Sequence, residues 1–219
     1  VSGIDCSRSK VMDSKQAPIW VSFLNADRTV GEKDKIISII FKCGDDLRQD
    51  ALTLSILGSM EQTWVVNGLP LMMKLYGCVS TGLDVGMIEV VPSSATTAAI
   101  QASEAGTLRG AFAKNPIRSW LDRQCVDDDE RLAARERFMR SCAAYCVATA
   151  VIGLGDRHPS NIMVTKRGEL FHIDFGHFLG NFKSKMGVKR ERSPFVFTPQ
   201  MLGVLGKELS DDVPQRFLL

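Results

Sequence analysis

Between residues 153 and 177 the chain reads GLGDRHPSNIMVTKRGELFHIDFGH. Asp156, His158 and Asn161 fall within six residues, and Asp174 follows Asn161 at a distance of thirteen. A carboxylate in such a loop can orient or deprotonate a hydroxyl. The amide oxygen of Asn161 and the carboxylate of Asp174 are hard donors, suited to a divalent cation and the phosphate oxygens it carries. His158 and His177 can shuttle a proton or stabilise charge on a transferred group. The chemistry on offer is metal-assisted phosphoryl transfer to a hydroxyl. Each residue also has a plainer reading. Asp156 can pair with Arg157 or cap a turn, Asp174 can serve as a turn carboxylate beside Gly176, and each His can be a hydrogen-bonded structural residue. Their coincidence in one stretch raises the weight of the functional reading, and for the two histidines brings it level with the structural one.

Three further features bear on the same chemistry. Lys42 ends a β-branched run just before a predicted helix, where a Lys can reach an α- or β-phosphate while its stem packs along a sheet. Ser14 and Lys15 lie in a turn between strands, able to lay a hydroxyl and backbone N–H groups over phosphates, although the turn has no Gly. Lys183, Lys185, Lys189, Arg190 and Arg192 follow Asp174 with Glu191 as the one acid among them. A cationic segment there suits an anionic acceptor; as a bland alternative it is a solvated basic face.

Fixed elements must hold these groups. Acids from Asp127 to Glu130 favour a helix N-terminus. Phe138, Cys142, Tyr145, Cys146, Thr149 and Ile152 then predict one buried helical stripe, stopped by Gly153 and Gly155. Residues 162–165 and 169–173 predict two strands around the turn Lys166-Arg167-Gly168. Upstream, residues 4–11 are weakly strand-like, 13–18 form a polar turn closed by Pro18, and 19–24 resume as a strand. Residues 35–42 are the strongest strand signal in the chain. Gly44-Asp45-Asp46 starts a helix with Leu47, Ala51, Leu54, Leu57, Met60 and Trp64 on one face, ended by Asn67-Gly68. Short strands are predicted at 71–75, 77–80 and 85–91. From Ser93 Ala, Ser and Thr dominate and helices take over, with Asn115-Pro116 as one helix start. Residues 178–192 read as a basic loop and 199–209 as a helix.

Composition narrows the class. The 219 residues are 45% hydrophobic, enough for a substantial core, and net charge is +2, which gives no global field for nucleic acid. Six Cys are scattered without a CxxC pair, consistent with reduced thiols. The longest uncharged run, residues 141–155, falls short of the ~20 residues a membrane span needs.

With these residues assembled, the chain resembles the catalytic domain of the phosphoinositide 3-kinases. The matching segments are VMDSKQAPIW, IIFKCGDDLRQDALTL, YGCVSTG, MIEVVP, SCAAYCVATAVIGLGDRHPSNIMV, GELFHIDFGHFLGNFK and KRERSPFVFT, in family order. The resemblance implies an α+β, bilobal protein-kinase-like fold. Residues 1–92 would be a small antiparallel β-sheet N-lobe with its hinge near 89–92. Residues 93–219 would be a mainly helical C-lobe with a catalytic loop at 153–161 and an activation segment at 174–198. The first strands and last helices of the domain are expected to lie outside the chain, as in a fragment. The implied cofactors are ATP and Mg²⁺.

By motif match, Ser14 and Lys15 belong to the phosphate-binding loop and Lys42 is the ATP-phosphate lysine. Glu89 and Val91 match the hinge whose backbone bonds adenine. Met12, Trp20, Ile40, Tyr76, Ile88, Met163 and Ile173 match the pocket lining, with Asp50 as an inner carboxylate. Asp156, His158 and Asn161 match the catalytic loop, Asn161 and Asp174 the Mg²⁺ ligands, and His177 a His assisting proton transfer. The match leaves open which of Asp156, His158 and His177 removes the proton.

Asp-Phe-Gly-His-Phe followed by Lys-Arg-Glu-Arg resembles class I, which phosphorylates the 3-hydroxyl of phosphatidylinositol 4,5-bisphosphate. Lys183, Lys185, Lys189 and Arg190 would meet the 4- and 5-phosphates. The Met12 to Lys15 loop is similar to the delta-type isoform. Two departures stand out: Gln16-Ala17 replaces the usual cationic pair, and Pro92 after Glu89-Val90-Val91 is more typical of class II. The alternatives are therefore a class II-like enzyme acting on phosphatidylinositol or its 4-phosphate, or a related serine/threonine protein kinase. The family implies a phosphoinositide substrate at a membrane surface, a regulatory subunit bound elsewhere in the full-length protein, and no nucleic acid partner. It also implies a cytoplasmic enzyme recruited peripherally to the plasma membrane or endomembranes.

Overall fold

In a computed structural model the described residues are 1–13, 16–27, 29, 31, 35–106, 115–177, 194–205 and, by backbone, 184–185 and 188–189. The chain divides into two compact units, residues 1–56 with 75–92, and residues 57–74 with 93–219.

The first unit is built on an antiparallel sheet. Its strands are β1 (Gly3–Ile4), β2 (Lys10–Val11), β3 (Ile19–Leu24), β4 (Ile36–Cys43), β5 (Cys78–Gly82) and β6 (Val85–Glu89). They pair in the order β1-β3-β4-β6-β5, with β2 also on β3. The strand expected over residues 4–11 is two short pieces. Between them the Arg8 N–H bonds the Asp5 carbonyl and the Ser7 hydroxyl bonds the Asp5 carboxylate, so a local turn displaces the ladder. The β-branched run forms β4, paired on both sides. Helix α1 (Arg48–Val66) follows it, and the Asp46 carboxylate accepts the Arg48 N–H at its start. Leu47, Leu54 and Leu57 are buried, and Gly68 takes the left-handed conformation just past the end. The division between units falls within this helix.

Residues 71–75 are not a strand. Met72 has φ 58, which breaks an extended run, while Met73 is buried as an anchor. The Lys74 carbonyl accepts the Tyr145 hydroxyl at 2.7 Å instead of joining a ladder.

The second unit carries the helices α2 (Thr97–Ala105), α3 (Pro116–Asp122), α4 (Asp128–Ile152) and α5 (Pro199–Leu205). A three-stranded antiparallel sheet joins β7 (Ser94–Thr96), β8 (Ile162–Thr165) and β9 (Leu170–His172). Polar Ser94-Ala95-Thr96 gives no strand signal by itself; β8 recruits it. Asn115 caps α3 and Asp127 caps α4, contributions of roughly 1 kcal/mol each. On α4, Phe138, Cys142, Tyr145, Thr149 and Ile152 are buried as the periodicity requires, and Cys146 is half-buried. The segment read as a basic loop contains a small hairpin, β10 (Ser184–Lys185) against β11 (Val188–Lys189). Of the helix expected over 199–209, α5 ends at Leu205 and the remainder lies outside the described residues.

Candidate active site

The candidate catalytic residues Asp156, His158 and Asn161 follow α4, whose end is set by Gly153 in the left-handed conformation at φ 59. The Leu154 N–H reaches back to the Thr149 carbonyl at 3.0 Å, and Leu154 is buried. Farther along, the Pro159 carbonyl accepts from the Ala98 N–H at 3.0 Å and the Thr97 hydroxyl at 2.8 Å, which pins the loop to the start of α2. Behind it, the Ser141 hydroxyl accepts the Leu170 N–H at 2.9 Å and fixes β9 against α4. The loop is held at both ends by buried elements.

Asn161 is the hub. Its N–H donates to the His158 carbonyl at 2.8 Å, and its own carbonyl accepts the Ile173 N–H at 3.0 Å. Its side-chain Nδ2 donates to the Asp156 carbonyl at 3.0 Å. A carbonyl accepts only, so the amide nitrogen must face Asp156, and the oxygen is the end offered to a cation. The structure thus brings Asp156, His158, Asn161 and Ile173 into one bonded unit. His177 joins it, since its carbonyl accepts the Gly155 N–H at 2.9 Å.

Asp174 follows β9 at φ 60, and Asp156 lies at φ 57. Both acids that would do chemistry therefore occupy the left-handed region, which Asp tolerates better than most residues. Burial does not create a demand for metal at Asp174. The residue is exposed, and its neighbour Phe175 is the one fully buried. The open Asp174 carboxylate and the Asn161 side-chain oxygen are still hard donors of the kind Mg²⁺ takes. Among the described residues no group of three or more His, Cys, Asp and Glu could enclose a metal. Two protein oxygens completed by phosphates and water fit that pattern.

His158 is exposed, and its Nδ1 accepts the Ser160 N–H in a long bond of 3.3 Å. In the neutral ring the proton then sits on Nε2, so His158 is arranged to donate rather than to accept. The remaining histidine, His172, is buried and stacks on Tyr145 with ring centroids 4.7 Å apart. Burial, with the Arg157 charge adding, holds its pKa well below the ordinary value, so it is a neutral core residue.

Arg157 was legible only as a partner for Asp156. Its guanidinium in fact donates to the Gly155 carbonyl at 2.8 Å, the Ile173 carbonyl at 2.8 Å and the Asp174 carbonyl. The available signal was an Arg between two candidate catalytic residues.

In the first unit the register gathers another set. Trp20 pairs with Ile40, Ile40 with Ile88, and Lys42 with Gly86. Cross-strand partners and alternate residues share a face, so Trp20, Ile40, Ile88 and Lys42 lie on one side of the sheet. Gly86 is required there, because a Cβ would meet the Val79 carbonyl oxygen at 2.5 Å and Leu47 Cδ1 at 2.7 Å. The Lys42 ammonium is held on the Asp45 carboxylate at 2.6 Å with its side chain 26% exposed. Cys78, partner of Ile88, feels this surface directly. Burial and the Asp50 carboxylate push its thiol up to about 11, against a lowering pull from Lys42. Asp50 and Lys42 thus share the neighbourhood of Cys78.

The Glu89 N–H is committed to the Gly77 carbonyl at 2.8 Å, and its carboxylate accepts the Gly77 N–H at 2.7 Å. Val91 and Tyr76 are buried. Met12 is half-buried, with its N–H on the Pro18 carbonyl at 2.8 Å. Gln16 reaches the Gly44 carbonyl at 3.1 Å. In the second unit Met163 pairs with Phe171, and Ile173 is two residues on, so Met163 and Ile173 share a side of the β8–β9 ribbon, both half-buried. Ser14, Lys15, Lys183 and Arg190 lie outside the described residues. Lys185 stands across from Val188, and Lys189 across from Ser184.

The phosphatidylinositol 3- and 4-kinase family profile matches residues 36–215. Phosphatidylinositol 3-kinase 1 of Dictyostelium discoideum is 52% identical over 205 residues, 94% of this chain and 13% of the relative. Phosphatidylinositol 3-kinase 3 of the same organism is 50% identical over 91% of this chain and 11% of its own length. Phosphatidylinositol 3-kinase 2 is 46% identical over 96% of this chain and 11% of its own length. The chain therefore spans about an eighth of the curated relatives it matches, and it belongs to the phosphatidylinositol 3- and 4-kinase family.

Proposed function

We propose that the protein containing this chain is a lipid kinase that transfers the γ-phosphoryl group of ATP to the 3-hydroxyl of phosphatidylinositol 4,5-bisphosphate. The observation that carries this reading is the Asp156–Asn161–Asp174 constellation, locked by backbone bonds, in a chain whose relatives are named phosphatidylinositol 3-kinases.

Lys42 meets the ATP phosphates, and the Glu89 carbonyl with the Val91 N–H meets adenine. Ser14 and Lys15 cover the phosphates. Trp20, Ile40, Ile88, Tyr76, Met12, Met163 and Ile173 supply apolar contact, and Asp50 is an inner carboxylate. Asn161 and Asp174 would hold Mg²⁺, which would supply neutralisation of charge on the phosphate oxygens. His158 donates from Nε2 to the phosphoryl group as charge develops. The acceptor oxygen forms its bond to phosphorus as the bond to the leaving ADP oxygen breaks, and the hydroxyl proton passes to a base. Asp156 and His177 are the two candidates for that base. Lys183, Lys185, Lys189 and Arg190 read the 4- and 5-phosphates.

The test uses the full-length protein with labelled ATP, vesicles of phosphatidylinositol, its 4-phosphate or its 4,5-bisphosphate, and a serine-containing peptide. The expected product is the 3-phosphorylated bisphosphate. Preference for phosphatidylinositol or the 4-phosphate, the substrates of a class II-like enzyme suggested by Pro92, would overturn the substrate assignment. Labelling of the peptide alone would overturn the lipid reading. Peripheral recruitment to the membrane belongs to this proposal; no helix among the described residues is long and apolar enough to cross one.

A further inference from the structure

Arg157 stands between Asp156 and His158. It is 9% exposed. Its Nε donates to the carbonyl of Gly155, two residues back, at 2.8 Å. Its Nη1 donates to the Ile173 carbonyl at 2.8 Å and its Nη2 to the Asp174 carbonyl, sixteen and seventeen residues ahead. The guanidinium carbon also lies 5.7 Å from the centre of the Phe175 ring, and Phe175 is fully buried. One side chain thus grips the loop that carries Asp156 and both peptide groups that flank the Asp174 side chain.

The grip matters because of what the backbone does there. Asp156 and Asp174 both sit at positive φ, 57 and 60. Such conformations persist at a cost and only where surrounding contacts over-determine them. Rotation about the Asp174 backbone would change where its carboxylate points, and the carbonyls on either side of that rotation are the two that Arg157 holds. A planar fork of five donors can serve three carbonyls at once. A Lys ammonium is a single point on a flexible stem and lacks that geometry.

We infer that Arg157 is the positioning residue of the metal site: by clamping the carbonyls of Gly155, Ile173 and Asp174 and stacking on Phe175, it sets the direction of the Asp174 carboxylate relative to Asn161. The inference rests on the reading of Asn161 and Asp174 as metal ligands. It is independent of whether the acceptor is a lipid or a protein. A purely structural Arg would support the fold and leave metal affinity untouched.

The experiment compares the wild-type full-length protein with Arg157→Lys and with Phe175→Leu, which removes the ring but keeps the apolar volume. Mn²⁺ binding in the presence of a non-hydrolysable ATP analogue is followed by electron paramagnetic resonance. The Mg²⁺ concentration for half-maximal turnover, KM for ATP and thermal unfolding are measured in parallel. Arg157→Lys is expected to weaken Mn²⁺ binding and to raise half-saturating Mg²⁺ by about tenfold or more, with KM for ATP changed by less than about threefold. Phe175→Leu shifts both in the same direction by less, and remains informative if the Lys variant does not fold. Unchanged Mn²⁺ binding and Mg²⁺ dependence in a folded variant, whatever its melting temperature, would overturn the inference. Arg157-dependent Mn²⁺ binding in a protein that labels no lipid would sustain it while the lipid-kinase reading fails. A lipid kinase whose metal affinity ignores Arg157 gives the converse.

Discussion

Asp174 projects an exposed carboxylate from a backbone held at φ 60. Asn tolerates that backbone conformation as well as Asp does, so Asp174→Asn removes charge without straining the chain. Phosphoryl transfer by this variant should fall by about a hundredfold or more while circular dichroism stays unchanged. Retained turnover would remove Asp174 from the metal site. For the proton, the discriminating measurement is the pH profile of kcat. Loss of the general base removes the acidic limb. Asp156→Asn is expected to remove it, and His177→Gln to lower kcat with the limb intact; the reverse outcome assigns the base to His177. Cys78 gives a separate probe of the sheet face that carries Lys42. Its thiol is raised to about 11, chiefly by burial and then by Asp50, so it stays protonated across the neutral range. At pH 8 only about one molecule in a thousand carries the thiolate, and alkylation should accelerate roughly tenfold per pH unit until about pH 11. Peptide mapping after iodoacetamide treatment checks this, with exposed Cys6 reacting early; equal rates at pH 8 would contradict the raised thiol of half-buried Cys78.

At the scale of elements, the β8–β9 hairpin lies between Asn161 and Asp174, and its turn is the constrained part. Gly168 has φ 104, and a Cβ there would run into the Ala134 carbonyl oxygen on α4. Gly168→Ala combines backbone strain with a clash against main chain, so a loss of about 1–3 kcal/mol is expected. For a cooperative unit of about 200 residues that corresponds to roughly 3–10 °C in Tm. An unchanged melting curve would mean that the turn can move away from α4. The long elements were legible because each carries its own periodicity. Strands β3 and β4 and helices α1 and α4 stand where alternation, caps and the buried stripe put them. The short ones were not. Residues 71–75 look extended by composition, yet Met72 turns at positive φ and Lys74 is tied to Tyr145. Strand β7 has no apolar signal and exists because β8 offers it a ladder.

At the scale of the whole protein, the basic segment tests which acceptor is served. Replacing Lys189 and Arg190 by Ala should lower kcat/KM for the bisphosphate by about tenfold, with less than about a threefold change for unphosphorylated phosphatidylinositol. Equal losses on both lipids would argue against headgroup reading. Family membership follows from the match over residues 36–215. The motif residues that reveal it were readable before any coordinates, because catalytic types at fixed spacings are properties of the linear chain. So were the order of the main elements and the placement of Asp156, Asn161 and Asp174 around one predicted hairpin. The chain alone could not show which end of the Asn161 amide meets the Asp156 carbonyl, that Asp156 and Asp174 both take positive φ, or that Arg157 grips carbonyls sixteen and seventeen residues away. Nor could it show that strand register gathers Trp20, Ile40, Ile88 and Lys42 on one face. Those features depend on contacts between residues distant in sequence, and packing alone selects them: local patterns state what a segment prefers to be, and tertiary structure decides which carbonyl each donor meets.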